Sequence, residues 1–176
     1  MQPTTNSPDT EPILKNLTIN IKPGERIAVC GPSGSGKTSL IMALLRMIQI
    51  QEGQVTINGT DLSTVDPTSI RSQINVIPQD PFFMPGTLRF NLDPKGALPD
   101  ESIVSAIQKV GLWNRVSMNG GLDATIDTLD WSYGEKQLLA LARALAVKDN
   151  HILILDEATS RYVHSYLSQI WILMMN

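Results

Sequence analysis

The eight residues Gly31-Pro32-Ser33-Gly34-Ser35-Gly36-Lys37-Thr38 constrain this chain more than any other stretch. They fill the pattern G-x-x-x-x-G-K-[ST] at every fixed position. An apolar run at 27–30 precedes them and another at 40–45 follows, so strand, loop and helix are expected in the order the pattern needs. Glycines at 31, 34 and 36 let the backbone turn successive N–H groups inward without Cβ clashes. Together with the N-terminus of the following helix, these amides form a concave anion site. Lys37 then offers a point charge to β- and γ-phosphates, and Thr38 offers a hydroxyl to Mg²⁺. A Gly/Ser/Pro-rich turn matching by accident would lack the flanking strand and helix.

With 176 residues, 42% of them hydrophobic and 18% charged, the chain has length enough for one domain with a real core. A net charge of −3 supplies no Lys/Arg-dense face for neutralising phosphodiesters, which argues against a nucleic-acid partner. The single cysteine, Cys30, has no internal disulfide partner and lies on the strand feeding the loop, so a buried thiol in a reducing compartment is expected. The N-terminus has neither the basic nor the apolar region of a secretory signal, and no run approaches the roughly twenty apolar residues of a membrane helix. Any membrane connection is therefore expected to come through a partner.

Residues 1 to about 12, with three prolines and little to bury, read as a mobile tail or linker. Leu17-Thr18-Ile19-Asn20-Ile21 alternates like a half-buried strand, and Lys22-Pro23-Gly24-Glu25 turns it into a strand over 26–30. Residues 54–57, closed by Asn58-Gly59, read as one arm of a hairpin, so an antiparallel β layer is expected to flank the nucleotide core. Asp66-Pro67 reads as the cap and first position of a short helix ending before a strand, Ile74-Asn75-Val76-Ile77. Residues 78–99 carry five prolines and read as a loop-rich connector that opens a subdomain. Asp100 is expected to cap a helix whose Ile103, Ile107 and Val110 fall at i, i+4 and i+7, with a second loop-rich stretch from Gly111 to Asp130.

Trp131-Ser132-Tyr133-Gly134-Glu135 leads into an Ala/Leu-rich helix reaching about Val147. Ser132 suits the N-cap, and Gly134 lets a ligand approach the helix's positive end, so this turn is either another anion site or a purely structural cap. Ile152-Leu153-Ile154-Leu155 suits a parallel strand buried on both faces, and Asp156-Glu157 stand at its carboxyl end, where open α/β sheets bind ligands. Beside a phosphate loop, Asp156 would hold Mg²⁺ through water and Glu157 would polarise the attacking water. The alternative is a solvated strand end.

Over residues 13–160 the chain resembles the nucleotide-binding domain of an ATP-binding-cassette (ABC) transporter. The resemblance rests on four motifs in order: Walker A at 31–38, a Q-loop glutamine at Gln79, a signature-like 131–135, and Walker B at 152–157. Residues 85–94 are similar to the second nucleotide-binding domain of the C subfamily, the multidrug-resistance-associated exporters. The fold implied is α/β, a P-loop NTPase core with a mainly parallel sheet, a flanking antiparallel β layer and an inserted α-helical subdomain at about 80–134. Residues 161–176 then form a tail outside the family pattern. The resemblance implies ATP and Mg²⁺ as ligands, a head-to-tail dimer with a second nucleotide-binding domain, and transmembrane partner domains that place the chain on the cytoplasmic face of a membrane. On this chain's own side, Gly31, Ser33, Gly34, Ser35, Gly36, Lys37, Thr38 and Ser39 would hold ATP, and Thr38, Gln79 and Asp156 the metal. Glu157, Gln79 and Lys37 would be the catalytic groups. Ser132, Gly134 and Glu135 would cap the γ-phosphate bound by the partner. The function implied is ATP binding and hydrolysis energising export; the alternatives are a truncated fragment that holds ATP without turning it over and a soluble ABC ATPase.

Several positions depart from the family pattern. Glu135 puts a carboxylate where the family usually has an amide, and is expected to repel a polyphosphate unless Lys136 or Mg²⁺ compensates. Residues 1–26 hold no Phe, Tyr or Trp, so the aromatic platform on which the family stacks adenine is missing and base affinity is expected to suffer. Arg161-Tyr162-Val163 replaces the Ala-Leu-Asp that carries the D-loop aspartate, and His164 comes too early to be the switch histidine. The expectation is a chain truncated after Walker B, weak in turnover, with an unpaired edge beside the strand carrying Gly31. Val163, Leu167, Ile170 and Met174 fall at i, i+4, i+7 and i+11, which predicts an amphipathic helix over about 163–175 packed on the core.

Overall fold

The computed structural model describes residues 12–147, 152–156 and 172–175. Strand β1 (Arg26–Val29) runs into the phosphate loop and helix α1 (Lys37–Leu44) leaves it. β2 (Thr56–Ile57) and β3 (Thr60–Asp61) pair antiparallel about Asn58-Gly59, both of which take positive φ as the tight hairpin turn demands. α2 (Pro67–Gln73) begins where its cap signal lies: the Asp66 carboxylate accepts from the N–H groups of Thr68 and Ser69 at 2.8 and 3.2 Å. It passes directly into β4 (Ile74–Ile77). Four helices follow, α3 (Leu88–Leu92), α4 (Asp100–Lys109), α5 (Trp113–Met118) and α6 (Tyr133–Ala146), and then β5 (Ile152–Asp156) and β6 (Ile172–Met175).

β1, β6, β5 and β4 form one sheet in that order, and every neighbouring pair is parallel. All four carboxyl ends therefore reach one edge, where the loop after β1 and Asp156 both lie. β5 explains its own unbroken apolar run. Leu153 and Leu155 belong to the core shared with α3, α4 and α6, whereas Ile154 belongs to a second core with Ile41 of α1 and Ile70 of α2. Successive side chains alternate faces, so a strand buried on both needs apolar residues at every position.

Elsewhere the structure corrects the expectations. Residues 17–21 form no strand, and Leu17, Ile19 and Ile21 are exposed. Their alternation suits a sheet, but among the described residues no neighbouring strand pairs with them, and the antiparallel layer is only β2 and β3. Cys30 is exposed rather than buried, because it lies just past β1, whose residues alternate between exposed and half-buried. The proline-rich connector holds α3, started by the Thr87 hydroxyl accepting from the Phe90 N–H at 3.1 Å. The stretch 111–130 holds α5. Pro99, not Asp100, occupies the N-cap of α4, and the Asp100 carboxylate is paired with Arg89.

The largest correction is at the C-terminal end. Residues 172–175 are strand, not helix, and the remainder of the predicted helix lies outside the described residues. β6 fills the position between β1 and β5, so β1 has a neighbour on that side and keeps only the free edge of a terminal strand. A segment between two parallel strands satisfies both of their rows of N–H and C=O groups, an advantage that outweighs its local helical periodicity.

Candidate functional site

The loop after β1 is held by its own stereochemistry. Gly34 and Gly36 sit at φ 82° and 94°, in the left-handed region. A Cβ on Gly31 would come within 2.6 Å of Ser35 Oγ, and one on Gly36 within 3.0 Å of both Ile13 Cγ2 and Leu14 Cδ2. No side chain caps α1, so its first amides are presented to the loop's concavity. Lys37 folds its ammonium over the same loop, donating to the carbonyls of Gly31 at 2.6 Å and Pro32 at 3.3 Å.

These parts line one cavity of about 460 Å³ together with Asp156. Gly31, Ser33, Gly34, Ser35, Gly36, Lys37, Thr38 and Ser39 all reach it, so the loop residues singled out in the sequence are brought together. Asp156 arrives from the far end of the chain, placed by its register opposite Met175 of β6, which in turn lies opposite Val29 of β1. Among the described residues no group of three or more His, Cys, Asp or Glu could hold a metal ion by itself. A hydroxyl from Thr38 and a carboxylate from Asp156 make the sparse oxygen set that suits Mg²⁺ when substrate phosphates supply further ligands. Glu157, Arg161 and His164 lie outside the described residues.

Gln79 is exposed two positions beyond β4 and does not line that cavity. Its carbonyl oxygen accepts from Tyr133 Oη at 2.5 Å and from Gln137 Nε2 at 3.4 Å, which ties the segment after β4 to the first turns of α6. Nothing in the spacing of Tyr133 and Gln137 signals this contact, since both partners depend on how α6 packs.

The turn at Ser132 is a complete capping box. The Glu135 N–H donates to Ser132 Oγ at 3.3 Å, and Glu135 Oε2 accepts from the Ser132 N–H at 3.0 Å and its hydroxyl at 2.7 Å. Arg115, from α5, pairs with Glu135, donates to the Asp130 carbonyl at 2.7 Å and lies 4.8 Å over the Trp131 ring. Arg115 and Ser132 thus supply compensation for the unexpected carboxylate within the chain itself. Burial pushes the Glu135 carboxyl up, but the Ser132 and Arg115 hydrogen bonds outweigh it and leave the group below its ordinary value. Ser132, Gly134 and Glu135 form their own patch and do not line the loop cavity.

Residues 85–94 also have a structural meaning. Asn91 is buried, its Oδ1 accepting from the Met84 N–H at 2.8 Å and its Nδ2 donating to the carbonyls of Met84 and Thr87 at 2.8 and 3.0 Å. Arg143 of α6 donates to the Asn91 carbonyl at 2.6 Å, which binds this turn to the same helix that Ser132 begins.

The family model described as ABC transporter matches residues 14–160, most of the chain. The chain belongs to the ABC transporter family. ABC transporter ecdL of Aspergillus rugulosus is 44% identical over 151 residues, covering 86% of this chain and 10% of that protein. ABC transporter gloK of Glarea lozoyensis is 43% identical over 154 residues, 88% of this chain and 12% of its own length. ABC transporter C family member 5 of Dictyostelium discoideum is 40% identical over 152 residues, 84% of this chain and 10% of its own. This ABC chain therefore spans about a tenth of the length of the curated relatives it matches, and corresponds to the ATP-binding part of such a transporter. Among its described residues no helix is long and apolar enough to cross a membrane.

Proposed function

We propose that this chain binds ATP with Mg²⁺ and hydrolyses it to energise export, as the second nucleotide-binding domain of a C-type ABC transporter on the cytoplasmic face of a membrane. The observation that carries the reading is the convergence of the loop 31–39 and Asp156, from opposite ends of the chain, on one cavity. In this reading the loop amides and Lys37 would bind the β- and γ-phosphates, while Thr38 and Asp156, which line the cavity, would hold the metal, joined by Gln79 from outside it. The metal would supply charge neutralisation between the phosphates. Glu157 orients the attacking water, and Gln79, tethered by its carbonyl to α6, reports the nucleotide's state to the helical subdomain at about 80–134. Ser132, Gly134 and Glu135 face the γ-phosphate held by a second nucleotide-binding domain, and transmembrane domains supply the route for cargo.

Lys37→Ala tests the site directly. It removes a charge-assisted contact of about 1.5 to 3 kcal/mol, roughly ten- to a hundredfold in Kd, when Mg-ATP is titrated by calorimetry. Equal affinities would sink the phosphate-loop assignment.

A second reading, an ATP-binding unit with little turnover of its own, is favoured by Arg161-Tyr162-Val163 standing in place of the D-loop sequence. Phosphoryl transfer depends on positioned charge around the γ-phosphate, and on this account part of that charge must come from another domain. Phosphate release from the purified chain is therefore expected near background at saturating Mg-ATP. Robust release abolished by Glu157→Gln would overturn the second reading and support the first.

A further inference from the structure

We infer that Tyr133 is a positioning residue whose hydroxyl holds Gln79 back from the phosphate cavity, so that the metal gains this ligand only when the bond breaks; this rests on the metal ligands proposed above. β4 and β5 are parallel neighbours with Ile77 opposite Leu155, so the segment carrying Gln79 leaves the sheet beside Asp156. Asp156 lines the cavity and Gln79 does not. What intervenes is α6. The Gln79 carbonyl accepts from Tyr133 Oη at 2.5 Å and from Gln137 Nε2 at 3.4 Å, and the phenol makes much the shorter bond. A backbone tethered at this carbonyl offers its side chain only as far as the tether allows.

The two donors differ in what they can give up. Gln137 is buried, whereas Tyr133 is 52% exposed, so water can replace the hydrogen bond its hydroxyl loses. Partial desolvation and the neighbouring Asp80 carboxylate both push the phenol's pKa up, and it stays a donor through the physiological range. Gln137 Oε1 is buried and has no hydrogen-bond partner among the described residues. An orphaned buried acceptor carries a cost that a second arrangement can relieve. The N–H groups of Gln79 and Asp80 belong to the tethered segment, and a shift that frees the Gln79 carbonyl can turn one of them toward Oε1. The held position is thus one of two, and the phenol is the group that favours it.

The test titrates ATP into the full 176-residue chain by calorimetry, once with Mg²⁺ and once with EDTA. Tyr133→Phe keeps the ring and removes only the hydroxyl. It is expected to raise the gain in affinity that Mg²⁺ confers by about two- to tenfold, the worth of one neutral hydrogen bond, and to change metal-free affinity by less than about twofold. In a chain already carrying Gln79→Ala, adding Tyr133→Phe is expected to change neither, because the hydroxyl acts through Gln79. An unchanged Mg²⁺ gain would overturn the inference. A smaller gain would overturn it too, by showing that the tether sets Gln79 in place for the metal instead of withholding it. A rise that survives Gln79→Ala would mean that the hydroxyl acts on the site by another route, and would equally sink the assignment. An unmodified chain that binds ATP in neither buffer would overturn the phosphate-loop reading itself, and this inference with it.

Discussion

Glu135 occupies the third position of α6, and its neighbours decide what its charge does there. The Ser132 N–H and hydroxyl and the Arg115 guanidinium all favour the carboxylate, so its folded pKa lies below the unfolded value. The sign follows: the stabilisation is complete above the unfolded glutamate value of about 4.3 and is lost as pH falls through the folded one. Glu135→Ala is expected to lower stability by about 1 to 2 kcal/mol at pH 7, by loss of half the capping box and of a charged hydrogen bond. In urea titrations that deficit should narrow as pH drops below about 5; a deficit constant from pH 7 to 4 would mean the carboxylate's charge is not what matters. Asn91 is a different kind of residue, buried with three hydrogen bonds to the Met84–Thr87 turn. Asn91→Ala should cost about 1 to 3 kcal/mol in the same titration, since it leaves the part-buried N–H and carbonyl of Met84 without their partners. Asn91→Asp should not rescue it, because a carboxylate would face those carbonyls with no proton to donate.

Among the elements, β6 joins β1 to the rest of the sheet, its backbone opposite Ile27 and Ala28 of β1 on one side and Ile154 and Leu155 of β5 on the other. Leu173→Pro, in the middle of this strand, removes an N–H and is expected to cost about 3 kcal/mol or more. Amide exchange at 27–28 and 153–155 should accelerate together; acceleration confined to β6 would mean that β1 and β5 hold their places without it. The elements legible in the sequence are those whose signals are local. Asp66-Pro67, Asn58-Gly59 and the Ser132–Glu135 spacing each specify a cap or a turn through atoms a few residues apart. Gly31 to Ser39 is legible for the same reason, as a strand, loop and helix contiguous in the chain. Thr87 carried an equally local cap signal for α3, which the surrounding prolines obscured. What the sequence hid depends on neighbours supplied from elsewhere. Leu17-Thr18-Ile19-Asn20-Ile21 alternates perfectly and still makes no strand without a partner among the described residues, 172–175 makes one because two partners are waiting, and Arg115 reaches Glu135 only because α5 and α6 both pack against α4.

At the scale of the whole molecule, exposed apolar side chains gather on a stretch that pairs with no strand among the described residues, with Leu17, Ile19 and Ile21 at 53%, 48% and 44% exposure. An exposed alternating segment with free backbone groups invites pairing with another chain. The purified chain is therefore expected to associate as its concentration rises. Leu17→Lys with Ile19→Lys should reduce light scattering and leave the melting temperature nearly unchanged, because neither side chain belongs to a core cluster. A marked drop in melting temperature would show instead that the stretch supports the fold. The sheet also dictates an order of events. Arg26 pairs with Ile172 and Val29 with Met175, so the first strand of the sheet closes against the last. On a ribosome adding about 5 to 20 residues per second, β1 emerges many seconds before the segment that flanks it, and long-range closures of this kind are the slow steps of folding. The phosphate loop is thus the first part of the site to be synthesised and the last to be held in place.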